Sequence, residues 1–197
     1  MTDSNKDRVT RGMTITAAPE IAGVWDIEVE RLGDERGYFA ETFRRDLLEA
    51  VAGRFDWLQD NESVSRRGVL RGMHFQEGEW AQAKLVRVTR GEVLDVVVDL
   101  RAGSPTFGRH LRRVLSASRG NQLLVSRGFA HGYLVLSDEA QFQYKVDNTY
   151  APQAEATLLY SDPALGIDWP DVGCPFVVSA KDERGILLKN IKPYEIK

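Results

Sequence analysis

The stretch V-L-R-G-M-H-F-Q, Val69 to Gln76, carries a histidine shortly after an Arg-Gly pair, inside an apolar run that reads as a β-strand. An imidazole titrates near neutral pH, so it can serve as a general acid or base or ligate a metal. The chain has only two other histidines, His110 and His131. Metal-binding barrels supply two histidines at H-x-H spacing, a nearby carboxylate and a later histidine, but here the position two after His74 is Gln76. Glu77 and Glu79 would have to stand in for the missing nitrogen, a poor ligand set for zinc or iron. No metal is expected, which leaves His74 free for proton transfer. His131 lies in R-G-F-A-H-G-Y between Gly128 and Gly132, where the backbone can bend or approach a ligand. A hydrogen-bonded structural histidine is the competing reading. His110, beside Arg109 and Leu111-Arg112-Arg113, reads as a surface residue.

Strand alternation places two further groups. In G-E-V-L-D-V-V-V-D-L, Leu94, Val96, Val98 and Leu100 share one face and Val93, Asp95, Val97 and Asp99 the other. If both faces are covered, Asp95 is a buried carboxylate that needs a partner; on an edge strand it would face solvent. In Q-F-Q-Y-K-V, Tyr144 shares the inward face with Phe142 and Val146. Such a tyrosine either fills core or, in a dry pocket, donates a proton to a developing oxyanion. Around His74, alternation puts Leu70, Gly72, His74 and Gln76 on one face and Val69, Arg71, Met73 and Phe75 on the other, which separates Arg71 from His74. A bulge at Gly72 would re-aim one of them, or Arg71 would serve a neighbouring subunit. Alternation alone leaves both open.

These residues sit in short apolar runs that recur about every ten residues between turn signals, the pattern of a sandwich or barrel. The expected strands are Gly23–Val29, Tyr38–Phe43, Trp57–Val64, Val69–Gln76, Lys84–Val88, Glu92–Leu100, His110–Leu115, Gln122–Val125, Gly132–Leu136, Gln141–Val146 and Thr157–Tyr160. Only Phe43–Val51 has helical spacing, through Phe43, Leu47, Leu48 and Val51. The expected fold is all-β, an antiparallel jelly roll or cupin-like β-sandwich with a few short helices, binding small molecules in the barrel mouth.

At 197 residues, 43% hydrophobic and 28% charged, the composition is that of one globular domain. A net charge of −3 gives no reason to expect nucleic acid or a membrane as partner. One cysteine, Cys174, rules out an internal disulfide framework and fits a reducing compartment. The polar N-terminus lacks the apolar core of a signal peptide, so the expected location is cytoplasmic. Residues 1–12 read as a disordered extension ahead of a single domain over 13–197.

Taken together, G-D-E-R-G-Y-F-A-E (33–41), Q-D-N-E-S-V-S (59–65), V-L-R-G-M-H-F-Q (69–76), Q-A-K-L-V-R (82–87), G-E-V-L-D-V-V-V-D-L-R (91–101), S-P-T-F-G (104–108), G-F-A-H-G-Y (128–133), Y-K-V-D-N-T-Y-A-P (144–152), G-I-D-W-P (166–170) and S-A-K-D (179–182) resemble the dTDP-4-dehydrorhamnose 3,5-epimerases. The resemblance implies a cupin-type jelly roll without metal or cofactor, a homodimer, and a dTDP-4-keto-6-deoxyhexose as substrate. It implies His74 as the base, Asp182 as the carboxylate that orients it, Tyr144 as the opposing proton donor, and Lys84 beside the keto oxygen. It assigns substrate contact to Arg36, Glu41, Gln59, Asp60, Asn61, Arg71, Lys84 and His131, with Tyr150 stacking on thymine and Glu155 and Lys181 nearby. Asp95 becomes a buried partner of charged groups in the pocket. Arg36 or Arg71 is expected to reach a partner's site by strand exchange.

Two departures bear on the reaction: the chain stops at P-Y-E-I-K soon after S-A-K-D, and the loop Gln76–Gln82 has its own composition. They leave open a branch that inverts one carbon only. Retention of His74, Tyr144 and Asp182 favours double epimerisation. A sugar-nucleotide-binding cupin without activity would have no need for all three.

Overall fold

The computed structural model describes residues 8–10 and 12–195. In chain order the strands are Arg8–Thr10 (β1), Met13–Ala17 (β2), Val24–Val29 (β3), Leu32–Asp34 (β4), Gly37–Phe39 (β5), Gln59–Arg66 (β6), Val69–Gln76 (β7), Lys84–Arg90 (β8), Glu92–Asp99 (β9), His110–Ser116 (β10), Gln122–Val125 (β11), Phe129–Val135 (β12), Glu139–Val146 (β13), Glu155–Thr157 (β14) and Val177–Val178 (β15). One helix, Arg45–Ala52 (α1), lies between β5 and β6. A seven-stranded sheet runs β1-β2-β3-β11-β8-β13-β6; a six-stranded sheet runs β10-β9-β12-β7-β14, with β15 on β7. Among the described residues every pairing between these strands is antiparallel except β15 with β7. This is the expected double-sheet jelly roll. No helix among the described residues is long and apolar enough to cross a membrane.

Three apolar layers follow from period-2 patterning. Val93 and Val97 pack with Val86, Val88, Tyr133 and Phe142 between the sheets. Leu94, Val96, Val98 and Leu100, the other face of β9, pack outside the six-stranded sheet against Tyr160, Trp169 and Leu188 of the C-terminal segment. The outer face of the seven-stranded sheet is covered by α1 through Leu47 and Leu48. Since β9 lies between β10 and β12 and both its faces are covered, Asp95 is buried. The solvent-facing alternative is excluded.

The strand that carries His74 breaks its own alternation. Across β7 and β12, His74 faces His131 and Arg71 faces Tyr133, so Gly72 and Met73 together oppose Gly132 alone. This bulge shifts the phase: Leu70, Met73 and Phe75 pack in the outer layer, while Val69 packs in the inner one. Arg71 and His74 are thereby both turned inward, as the bulge reading expected. Only glycine fits there. Gly72 has φ +133°, and a Cβ on it would lie 2.6 Å from Cα of Gly132. A Cβ on Gly132 would in turn lie 2.6 Å from the Arg71 carbonyl oxygen.

Other differences have local causes. Strand β2 was not expected; its Met13 and Ile15 alternate into the layer beneath α1. Within the segment expected to be a disordered extension, Arg8–Thr10 pairs with Met13–Ile15, and residues 1–7 and 11 lie outside the described residues. The helix starts two residues later than its spacing suggests, because Arg44 is extended and Phe43 turns edge-on to Trp57 at 6.0 Å. The strand expected over Tyr38–Phe43 shrinks to Gly37–Phe39, paired only with β4. His110 is half-buried, its Nδ1 3.0 Å from the Leu165 carbonyl, rather than a free surface residue.

The bulge predicts a large response to the smallest change. Gly72→Ala should cost at least about 2 kcal/mol, read as a lowered urea midpoint with unchanged slope. A midpoint equal to the parent's would contradict this account of β7.

Candidate active site

Asp182 and His74 are 108 residues apart and meet behind the bulge. Oδ1 of Asp182 lies 2.7 Å from Nε2 of His74, and its Oδ2 accepts the Gly72 backbone N–H at 3.2 Å. Burial pushes the Asp182 carboxyl up, but bonds from His74, Gly72 and Ser179 outweigh it and hold the group below its ordinary value. An ionised carboxylate only accepts, so Nε2 carries a proton, and in the neutral ring Nδ1 is the nitrogen left with a lone pair. That nitrogen has no hydrogen-bond partner among the described residues.

Tyr144 stands on the facing sheet. Its ring lies 6.1 Å from Phe142, and burial, aided by Tyr133 and Glu155 and opposed by Arg71, raises its phenol above the ordinary value. It therefore stays protonated at neutral pH and can donate. Beside it, β6 directs Gln59, Asn61, Ser63 and Ser65 inward: Gln59 Nε2 donates to Asn61 Oδ1 at 2.8 Å, Ser63 Oγ and Tyr133 Oη are 2.8 Å apart, and Arg71 Nε donates to Ser65 Oγ at 3.0 Å. Sequence reasoning passed over Ser63, Ser65 and Tyr133. Alternation continued along β6 from Asn61 would have found both serines.

Two buried charges complete the wall. Lys84 Nζ donates to the His74 carbonyl at 3.4 Å. Burial depresses its ammonium to about 8, against the opposing pull of Asp95 and Glu155. Asp95 is fully buried, and its Oδ2 lies 2.8 Å from Nε2 of His131 while its Oδ1 has no partner. At the mouth, Tyr150 is half-exposed, donates its hydroxyl to Glu155 at 2.8 Å and its backbone N–H to Gln59 at 3.0 Å, and Lys181 bridges to Glu155. Burial pushes Glu155 up, but bonds from Lys181 and Tyr150 bring it below its ordinary value.

Three expected contacts fall elsewhere. Asp60 faces outward and pairs with Lys145 at 2.7 Å, because neighbours on a strand cannot both face the cup with Gln59 and Asn61. Arg36 sits in the β4–β5 turn, bonded to Asp34, and Glu41 lies 3.9 Å from Arg44. Among the described residues neither bonds a residue of the cup. Among the described residues no group of three or more His, Cys, Asp or Glu side chains is placed to hold a metal ion. A cavity of about 1120 Å³ shares Gln76 and Lys84 with this wall, but His74, Tyr144 and Asp182 do not line it.

A double-sheet jelly roll with an imidazole–carboxylate pair and a buried ammonium on its inner wall is a small-molecule enzyme of the cupin class. A family model described as dTDP-4-dehydrorhamnose 3,5-epimerase matches residues 18–190. The chain is 46% identical over 177 residues to the dTDP-4-dehydrorhamnose 3,5-epimerase of Salmonella typhimurium, covering 89% of this chain and 96% of that protein. It therefore belongs to the dTDP-4-dehydrorhamnose 3,5-epimerase family. Its fold matches the dTDP-6-deoxy-D-glucose-3,5-epimerase of Legionella pneumophila, solved in complex with dTDP-4-keto-L-rhamnose, at TM-score 0.88 and 42% identity, covering 94% of this chain and 99% of that one. A dTDP-4-dehydrorhamnose 3-epimerase of Streptomyces niveus is 42% identical over 169 residues, 85% of this chain and 81% of that protein. The C-terminal end that sequence alone reads as short leaves almost none of the Salmonella relative uncovered.

Lys84 supplies a test independent of turnover. It binds its proton less tightly folded than unfolded, so between about 8 and the ordinary 10.5 the unfolded chain holds more proton and stability rises with pH. The expected excess slope over Lys84→Met is up to about 1.4 kcal/mol per pH unit, measured by denaturant unfolding across that window. Equal slopes for parent and variant would show that Lys84 is not desolvated.

Proposed function

We propose that the protein inverts C3 and C5 of a dTDP-4-keto-6-deoxyhexose, converting dTDP-4-dehydro-6-deoxyglucose to dTDP-4-dehydrorhamnose, with His74 as base and Tyr144 as acid. The observation that carries this reading is the His74–Asp182 pair on one wall with the protonated Tyr144 on the other. The 4-keto group acidifies the hydrogens on C3 and C5. Nδ1 of His74 takes one of them, Asp182 stabilises the imidazolium, and the electron pair moves onto the keto oxygen as an enolate. The Lys84 ammonium, charged below about pH 8, stabilises that oxygen. Tyr144 returns a proton to the opposite face of the same carbon, and solvent restores both side chains. The substrate's own carbonyl is the electron sink, so no cofactor is required.

Remote contacts hold the ring in place for two rounds of this chemistry. Arg71 at the cup's rim suits the diphosphate, and His131, fixed by Asp95, suits a sugar hydroxyl. The exposed Tyr150 ring, braced by Glu155 and Lys181, suits the thymine, with Gln59 and Asn61 beside it. Arg36 and Glu41 are assigned to the site of a second copy in a homodimer. Supporting this, Leu32, Tyr38 and Phe39 expose an apolar hairpin next to them.

Incubation with the 4-keto sugar nucleotide in deuterated water tests the reading by NMR. The parent should exchange two carbon-bound positions and form the rhamno product. Tyr144→Phe should still exchange but lose inversion by about 10²–10⁴-fold, because only the acid on the far face is gone. One exchanged position in the parent would mean a mono-epimerase, as the Streptomyces niveus relative is named; none would mean a binder. Exchange by His74→Ala at the parent rate would overturn the choice of base.

A further inference from the structure

Gln76 occupies the place where a metal-binding barrel would carry its second histidine, and the proposed chemistry gives it nothing to do. It ends β7, 7% exposed, and all of its amide is engaged with main chain. Oε1 accepts from the Ala151 N–H at 2.7 Å; Nε2 donates to the Trp80 carbonyl at 2.7 Å and to the Thr149 carbonyl at 3.2 Å. Thr149 and Ala151 flank Tyr150. One buried amide therefore grips the chain on both sides of the exposed ring and ties it to the turn Gly78–Trp80. Gln82 Nε2 on the Asn148 carbonyl at 2.8 Å and Asn148 Nδ2 on the Glu79 carbonyl at 2.9 Å join the same two loops.

We infer that Gln76 is a positioning residue for nucleotide recognition: it holds the Tyr150 ring in its binding orientation and acts through that ring alone. The inference rests on the reading of Tyr150 as the thymine platform. A half-exposed aromatic has little packing of its own to fix it. Stacking gains more affinity when the loop is ordered before the ligand arrives, because the ordering cost is not then set against it. Main-chain bonds from a buried side chain supply that order, and the Gln76 amide bonds Trp80, Thr149 and Ala151 rather than His74, Tyr144, Lys84 or Asp182.

The test is calorimetric binding of dTDP together with steady-state kinetics for parent, Gln76→Met, Tyr150→Ala and the double variant. Loss of the three main-chain bonds should raise the dTDP Kd and the substrate KM at least about tenfold. kcat should stay within about twofold, since the amide bonds only the Trp80 and Thr149–Ala151 segments and none of His74, Tyr144, Lys84 or Asp182. In the Tyr150→Ala background Gln76→Met should add almost nothing, because both remove one platform. Gln76→Glu keeps the shape of the side chain, and so covers the case in which Gln76→Met does not fold. It turns an oxygen toward two carbonyls and should weaken dTDP in the same direction. A kcat that falls as far as KM rises, additive losses with Tyr150→Ala, or an unchanged Kd would overturn the inference. Failure of Tyr150→Ala itself to weaken dTDP would instead remove the platform reading.

Discussion

Two glycines in contact across β7 and β12 set everything that follows in this molecule. The backbones approach so closely at Gly72 and Gly132 that neither position has room for a Cβ, and the extra residue this accommodates flips the phase of β7. Without the slip, Arg71 and His74 would point to opposite sides of the sheet. With it, the guanidinium and the imidazole share the cup, and the freed Gly72 N–H binds the same carboxylate that holds His74. A local fault in a strand thus fixes both the direction of the base and the seat of its partner.

The cup is otherwise an exercise in keeping charge buried without leaving it alone. Burying an ion is costly unless a partner is present, and the carboxylates of the cup have one: buried Asp182 has His74, buried Asp95 has His131, and half-buried Glu155 at the mouth has Lys181. Lys84 is the exception, with only a carbonyl at 3.4 Å, and its lowered proton affinity is the consequence. A group left short of a partner in the resting protein is well placed to gain one when negative charge develops on a bound ligand.

Much of this was legible in the sequence, and the illegible parts share a cause. The strand Val69–Gln76 has the bounds its apolar run suggests, and the alternation of β9 correctly makes Asp95 a buried carboxylate in search of a partner. Tyr144 faces inward as its neighbours imply. Period-2 reasoning could not find the bulge, because a glycine inside a strand permits a slip without requiring one. Nothing periodic links Asp182 to a histidine 108 residues earlier; only resemblance to a family joined them. The same resemblance carried Asp60 along with Gln59 and Asn61 as a block, and there the pleat of β6 overrules it. The hairpin that bears Arg36 is short because it pairs with neither main sheet, a tertiary fact no local pattern encodes.

Asp182 fixes the tautomer of His74, which in the neutral ring leaves the lone pair on Nδ1. Nitrogen-15 NMR of the histidine rings, with His74 assigned by its loss in His74→Ala, measures this directly. The neutral ring of the parent should carry its proton on Nε2, and Asp182→Asn should switch it to the Nδ1-protonated form or a mixture of both. A parent protein with its proton on Nδ1, or a tautomer indifferent to Asp182→Asn, would contradict it.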